Sequence, residues 1–191
     1  SENTTKKGTD SSDIETVVKI LEIGIKRIQD LTSKLSNLDD ASYKKSETID
    51  SHELILQCVD KFRKEKNNTA KVVTELTDAK SQISVDSYRM SQAIMYILQN
   101  AQEATGDDGE IVIKTSAPNN EFIISISDNG SGIDESLIKN VFDPLFSTKH
   151  QDTHMGLGLT YAYNVIQESG GHINILSENR QGTTVEMIFK K

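Results

Sequence analysis

The chain has 191 residues, 35% hydrophobic and 26% charged, with a formal net charge of −8 at pH 7. That is room for one compact domain plus extra chain, and too many apolar residues for a wholly disordered protein. The longest apolar stretch, Ala93 to Leu98, is far short of the ~20 residues of a membrane span. No basic segment followed by an apolar run opens the chain, so no signal peptide is expected. The lone cysteine, Cys58, excludes an internal disulfide and a Cys-x-x-Cys zinc pair. The acidic balance argues against a nucleic-acid partner. An aromatic content of 5% argues against a stacking platform for single strands.

Residues 1–10 are polar and read as a flexible start. Ile14, Leu21, Ile28 and Leu35 then recur every seven residues, beside rows formed by Val17, Leu31 and Leu38 and by Val18 and Ile25. Three apolar positions in seven make a stripe wide enough for a helix of a four-helix bundle. No second helix of similar length occurs in the chain, so the stripe calls for another chain or for the domain that follows. Asp39 to Ser51 reads as a polar connection. Glu53 to Phe62 is predicted helical, with Leu54, Ile55, Val59 and Phe62 inward. Lys71 to Leu76 and Gln82 to Val85 are short strand candidates. Asp86 caps a second helix, in which Met90, Ala93, Ile94, Ile97, Leu98 and Ala101 keep the helical period up to Ala104.

After the turn at Gly106-Asp107-Asp108-Gly109 the period falls to two. Ile111, Ile113 and Thr115 begin a hairpin that turns at Pro118-Asn119-Asn120 and returns through Phe122 to Ser127. A short helix is expected at Glu135 to Val141 and a longer one at Leu159 to Ser169, stopped by Gly170-Gly171. His172 to Ser177 and Thr183 to Phe189 close the chain as strands around Gly182.

Two glycine loops and one asparagine carry chemistry. Gly156-Leu157-Gly158-Leu159 opens a helix, where free N–H groups and the helix dipole suit an anion. On its own the pattern is better explained by a loop-to-helix junction. Asp128-Asn129-Gly130-Ser131-Gly132 follows a strand, and alone reads as an ordinary turn. Asn100 interrupts an apolar helix, where it is either locally bonded or a hard oxygen ligand suited to magnesium.

Taken together, these segments resemble the histidine-kinase ATPase family, which shares its fold with gyrase, Hsp90 and MutL. Ile97 to Ala104 resembles the family's N-box, and Asp128 to Gly132 its first glycine box. Val141-Phe142-Asp143-Pro144-Leu145-Phe146-Ser147-Thr148-Lys149 resembles the F-box. Gly156 to Leu159 resembles the second glycine box, and Gly182-Thr183-Thr184 the closing glycine-threonine element. All five stand in the family's order, over about residues 45–191.

The resemblance implies an α/β fold, a two-layer sandwich of the Bergerat type with a mixed sheet backed by three helices, preceded by the long helix. It implies ATP and Mg²⁺ as cofactors. Asn100 would hold the magnesium and Asp128 would accept from the adenine amino group. Gly130 and Gly132 would let the backbone pass beside the base. Gly156, Leu157 and Gly158 would face the phosphates. Residues 147–155 would form a lid, anchored by Phe142 and Phe146, with Lys149 reaching a phosphate and acting with Asn100 in catalysis. Thr183 belongs to the ATP-binding set, and so does Glu103, with no firm phosphate role because many family members carry lysine there. Where hydrolytic relatives place a glutamate that activates water, this chain has Tyr96, which favours phosphoryl transfer over hydrolysis.

The same resemblance divides the chain into a flexible residue range 1–10, the second helix of a dimerisation and phosphotransfer hairpin at 11–44, and the catalytic domain at 45–191. The first hairpin helix, with its phosphoacceptor histidine, is expected outside this chain. Ser51-His52-Glu53-Leu54 imitates the acceptor motif, but Ile55 to Cys58 departs from its continuation, and His52 is expected at the surface or as a cap. His150 and His154 are expected to be solvated, and His172 structural. The expected function is the catalytic fragment of a two-component sensor histidine kinase, unable to phosphorylate itself alone. Its partners would be a response regulator receiver domain and, in the full-length homodimer, a second copy. Its location would be cytoplasmic, in a parent protein open to membrane anchoring. The alternative is a non-catalytic ATP-sensing adaptor of the same fold.

Overall fold

A computed structural model describes residues 46–65, 69–79, 82–147 and 156–190. The chain divides into two units, Ser1–Ala41 and Ser42–Lys191. The flexible start and the long helix expected at 11–44 lie outside the described residues, so the architecture below belongs to the second unit. Among the described residues, no helix is long and apolar enough to cross a membrane.

The unit opens with a strand where the sequence suggested only a connection. Strand β1 (Glu47–Asp50) pairs antiparallel with β3 (Gln82–Val85), Glu47 opposite Val85. Its four residues carry little apolar character, and the pairing that makes it a strand lies more than thirty residues away, so local pattern does not reveal it. Helix α1 (Ser51–Lys64) follows at once. Asp50 caps it by accepting from the backbone of His52 at 2.8 Å and Glu53 at 3.4 Å. Leu54, Ile55, Cys58, Val59 and Phe62 form its buried stripe.

Strand β2 (Lys71–Glu75) precedes β3, and helix α2 (Ser87–Thr105) follows it. Asp86 caps α2 through the backbone N–H of Arg89 at 2.9 Å. Strands β4 (Glu110–Ser116) and β5 (Glu121–Asp128) form the expected hairpin. Its turn places Asn119 (φ 46°) and Asn120 (φ 70°) in the left-handed region, which asparagine tolerates better than most residues. The one-turn helix α3 (Glu135–Ile138) ends before the Val141 expected for it. Helix α4 (Gly158–Glu168) and strands β6 (His172–Glu178) and β7 (Gly182–Lys190) complete the unit.

The main sheet has the order β2-β4-β5-β7-β6, parallel between β2 and β4 and antiparallel elsewhere. Alternation decides its two faces. Ile113, Ile126, Val185 and Ile175 stand opposite one another across four strands and are all buried. Their neighbours Lys114, Ser125, Glu186 and Asn174 form the opposite, wetter face. Helices α2 and α4 pack on the apolar face and α1 packs on α2, so the expected two-layer sandwich is the observed one.

Gln102 fixes the end of α2. It is buried, and its side-chain oxygen accepts from the backbone of Thr69 at 2.9 Å and Ala70 at 2.7 Å. Its side-chain nitrogen donates to the Gly106 carbonyl at 2.9 Å. One amide thus ties the helix end to the approach to β2. Gln102→Leu keeps the volume and takes the acceptor from the buried Ala70 N–H, at about 1–3 kcal/mol, while the exposed Thr69 N–H turns to water. We expect a drop in urea-unfolding stability within that range. A change of only a few tenths of a kcal/mol would show that water replaces the amide.

Candidate functional site

Tyr96, Asn100 and Ala104 are four residues apart on α2 and share one stripe. Each end of the stripe meets a glycine loop. At one end, a methyl group on Gly158 would lie 3.4 Å from Tyr96 Cδ1. At the other, a methyl on Gly130 would lie 2.6 Å from the Ala104 carbonyl, and Ser131 N–H donates to that carbonyl at 3.1 Å. Asn100, half-buried, stands midway. The two loops and the asparagine, separated by up to 58 positions in sequence, are therefore neighbours along one helix flank.

Asp128 ends β5 on the helix-covered face of the sheet. Its Oδ1 accepts from the backbone N–H of Gly130 at 2.9 Å and of Thr183 at 3.3 Å, which sets the orientation of the carboxyl. Asn129 pins the same loop to β4: its Oδ1 accepts from Glu110 N–H at 2.9 Å. Gly182 (φ +92°) lies against the Asp128 carbonyl so closely that any Cβ would overlap it, a close approach in the left-handed region that glycine alone allows. Gly132 faces the backbone of Glu178 in the same manner. Gly130 and Gly132, which sequence reasoning assigned to passage beside a base, thus make close contacts between protein backbones.

Gly156 is held at the other end of the site. Its carbonyl accepts from Leu145 N–H at 3.2 Å, and its α-carbon side abuts the Phe146 carbonyl. This joins the chain on either side of residues 148–155. Phe142 is turned toward α4. Its ring lies 5.2 Å from that of Tyr163, and its carbonyl accepts from Thr160 Oγ1 at 3.0 Å. Leu157 is buried and gives α4 no side-chain cap, whereas Asp50, Asp86 and Asp134 cap the other helices. Among the described residues, no N-cap side chain takes up the first N–H groups of α4. Glu103 is exposed one turn beyond Asn100. Lys149, His150 and His154, with the expected lid, lie outside the described residues apart from Ser147.

Burial pushes the Tyr96 phenol above its ordinary pKa, and the nearby Tyr88 adds to this. Its ring meets Tyr161 edge-on at 5.4 Å, and burial raises the Tyr161 phenol likewise. Tyr96 is therefore an uncharged phenol at neutral pH and no base for activating water.

His52 is neither a cap nor a free surface residue. Asp50 does the capping, while His52 Nε2 lies 3.0 Å from Thr115 Oγ1 and its ring 5.9 Å from that of Phe122. Sequence reasoning also passed over Ser177. The available signal was its inward register, in step with Ile173 and Ile175. Its Oγ lies 2.9 Å from Thr183 Oγ1 and accepts from Ile133 N–H at 2.8 Å. Among the described residues, no three His, Cys, Asp or Glu side chains gather as a metal site.

Residues 85–191 match the family described as histidine kinase-, DNA gyrase B-, and HSP90-like ATPases. The signal transduction histidine-protein kinase AtoS of Escherichia coli (strain K12) is 38% identical over 118 residues, which are 61% of this chain and 19% of AtoS. The nucleotide-free catalytic domain of histidine kinase ThkA superposes with a TM-score of 0.67 at 28% identity, covering 77% of this chain and 96% of that domain. The structure of ThkA in complex with the response regulator TrrA gives a TM-score of 0.73 at 21% identity, covering 97% of this chain and 54% of that one. The chain spans between 19% and 33% of the length of the first curated relatives it matches.

The folded state holds the protons of Tyr96 and Tyr161 more tightly than the unfolded chain does. Their contribution to stability is complete below the ordinary phenol pKa of 10.0 and is lost as pH rises above it. Phenolate absorbance should show two groups titrating late, and stability should fall above that pH. Tyr96→Phe should remove one late group. A normal titration for all the tyrosines would contradict the burial of this pair.

Proposed function

The chain belongs to the family of histidine kinase-, DNA gyrase B-, and HSP90-like ATPases, and from that premise we propose that it is the ATP-binding catalytic part of a two-component sensor histidine kinase. The observation that carries this reading is the α2 flank, where Asn100 stands between two glycine loops with the Asp128 carboxyl fixed beside one of them. The Asp128 end takes adenine, whose amino group donates to the carboxylate. Thr183 lines the same end. The phosphates extend along the flank past Asn100 toward Gly156, Leu157 and the uncapped N–H groups of α4. Phe142 braces that end from α4, and Lys149 and Glu103 complete the set.

The amide oxygen of Asn100 is a hard donor, and magnesium at nucleotide sites takes few protein ligands and several phosphate oxygens, so the residues fit the ion. When bound it neutralises phosphate charge. Phosphoryl transfer leaves the protein mainly positioning and electrostatic work. The terminal phosphorus would part from the bridging oxygen, which leaves on ADP with the electron pair. It would bond to the unprotonated imidazole nitrogen through that nitrogen's lone pair, and the proton on the other ring nitrogen would pass to solvent. On this reading that histidine belongs to a helix outside this chain, and the heptad-spaced apolar residues Ile14, Leu21, Ile28 and Leu35 are the sequence feature that suits a partner helix of its hairpin. His52 does not serve, being held between Thr115 and Phe122. The neutral Tyr96, one turn before Asn100, favours transfer to a histidine over hydrolysis. The ThkA–TrrA complex supports a response regulator as the next acceptor, and the wide apolar stripe in the sequence of residues 14–38 suits a homodimeric bundle in the parent protein.

Calorimetric titration with ADP, with and without Mg²⁺, tests the site. Asp128→Ala should abolish measurable binding. Asn100→Ala should keep magnesium-free binding and lose the gain that magnesium brings. Unchanged affinity in both variants would refute the assignment. Transfer is tested with γ-labelled ATP and a longer chain that includes the preceding helix. Label on a histidine is expected. Nucleotide binding without label would identify an ATP-sensing adaptor instead.

A further inference from the structure

Asp128, Thr183 and Ser177 stand opposite one another on β5, β7 and β6. They form a polar row on the helix-covered face, directly beyond the apolar row Ile126, Val185 and Ile175. Ser177 Oγ has three partners: it donates to the Gly182 carbonyl at 2.9 Å, accepts from Ile133 N–H at 2.8 Å, and lies 2.9 Å from Thr183 Oγ1. A hydroxyl carries one proton and two lone pairs. The proton is committed to Gly182 and one lone pair to Ile133. The bond to Thr183 must therefore use the second lone pair of Ser177 and the proton of Thr183.

This decides what Thr183 can offer a ligand. With its proton turned toward Ser177, its oxygen has only lone pairs left. Asp128 beside it, when ionised, is also an acceptor. We infer that Ser177 is a positioning residue that sets base specificity: by holding the Thr183 proton it makes the pocket floor a pair of acceptors. Such a floor takes the two hydrogens of an adenine amino group, directly or through a water. It opposes the carbonyl that guanine presents there. This rests on the nucleotide reading of Asp128, and Ser177 itself touches no nucleotide.

Equilibrium binding of ADP and GDP provides the test. Ser177→Ala frees the Thr183 proton to meet a carbonyl, and the preference for ADP over GDP should narrow about ten-fold, the worth of one hydrogen bond. Ser177→Thr, which keeps the hydroxyl, should restore it. In a Thr183→Ala background, Ser177→Ala should shift the preference less than about two-fold, because the two act through one bond. Should Ser177→Ala not fold, Ser177→Cys, a weak donor and weak acceptor of similar shape, should narrow the preference in the same direction. An unchanged ratio, or an equal loss for both nucleotides, overturns the role of Ser177 and leaves the site intact. Absence of ADP binding by the unaltered chain overturns the nucleotide reading itself.

Discussion

The seating of α2 on the sheet governs the rest of the site. Met90, Ala93, Ile94, Ile97, Leu98 and Ala101 are buried on it, and removing them from water is the main force that holds the helix in place. At 3.6 residues per turn, once this face is turned inward, Tyr96, Asn100 and Ala104 fall on its flank. No local feature of Asn100 puts it between two loops. Its position follows from the apolar residues three and two places before it. A rotation of the helix about its axis by one residue would bury the amide and expose Leu98, at the cost of a desolvated polar group and a lost core side chain.

The second constraint is the register of the sheet. Along β5, Phe122, Ile124 and Ile126 are buried, and Asp128 is the next residue in the same alternation. The sheet therefore delivers a carboxylate at the end of an apolar row without any special bend. The partners of Asp128 are delivered in the same way: Thr183 continues the sequence Phe189, Met187 and Val185 on β7, and Ser177 continues Ile173 and Ile175 on β6. Three strands change from apolar to polar at one level. The backbone N–H groups of Gly130 and Thr183 then fix the carboxyl, while the close passage of Gly182 keeps β7 tight against β5.

Much of this was legible in the sequence because it rests on short-range period. The alternation of β4 and β5, the helical spacing of α2 and the Asp86 cap are properties of a few neighbouring residues. The order of the five motifs carried the fold class, and the family match bears it out. What escaped reading depends on distant partners. Strand β1 exists because β3 lies beside it. His52 was expected at the surface or as a cap, but it packs against Thr115 and Phe122 from two other strands. Gln102 looked like one more polar residue of a motif, yet its amide joins Thr69, Ala70 and Gly106. Ser177 lay in correct register, but its meaning needed the proton accounting of three simultaneous bonds.

A chain of net charge −8 is an unpromising host for a polyanion unless local fields oppose the global one. Global charge is screened within about 10 Å at ordinary salt, whereas N–H groups at a helix start act at contact distance. The arrangement of caps is consistent with this. Where a helix start has only structural work, an aspartate fills it, as at α1, α2 and α3. Such a carboxylate at α4 would occupy the donors and repel phosphate. Leu157 in that place turns inward instead, contributing to the core and leaving the donors and their positive potential toward the α2 flank. The uncharged Tyr96 beside Gly158 acts in the same direction: a glutamate there would set a second negative charge against the phosphates and also provide a base for water. Under the proposed nucleotide reading, a ring in place of a carboxylate there would serve binding and disfavour hydrolysis together.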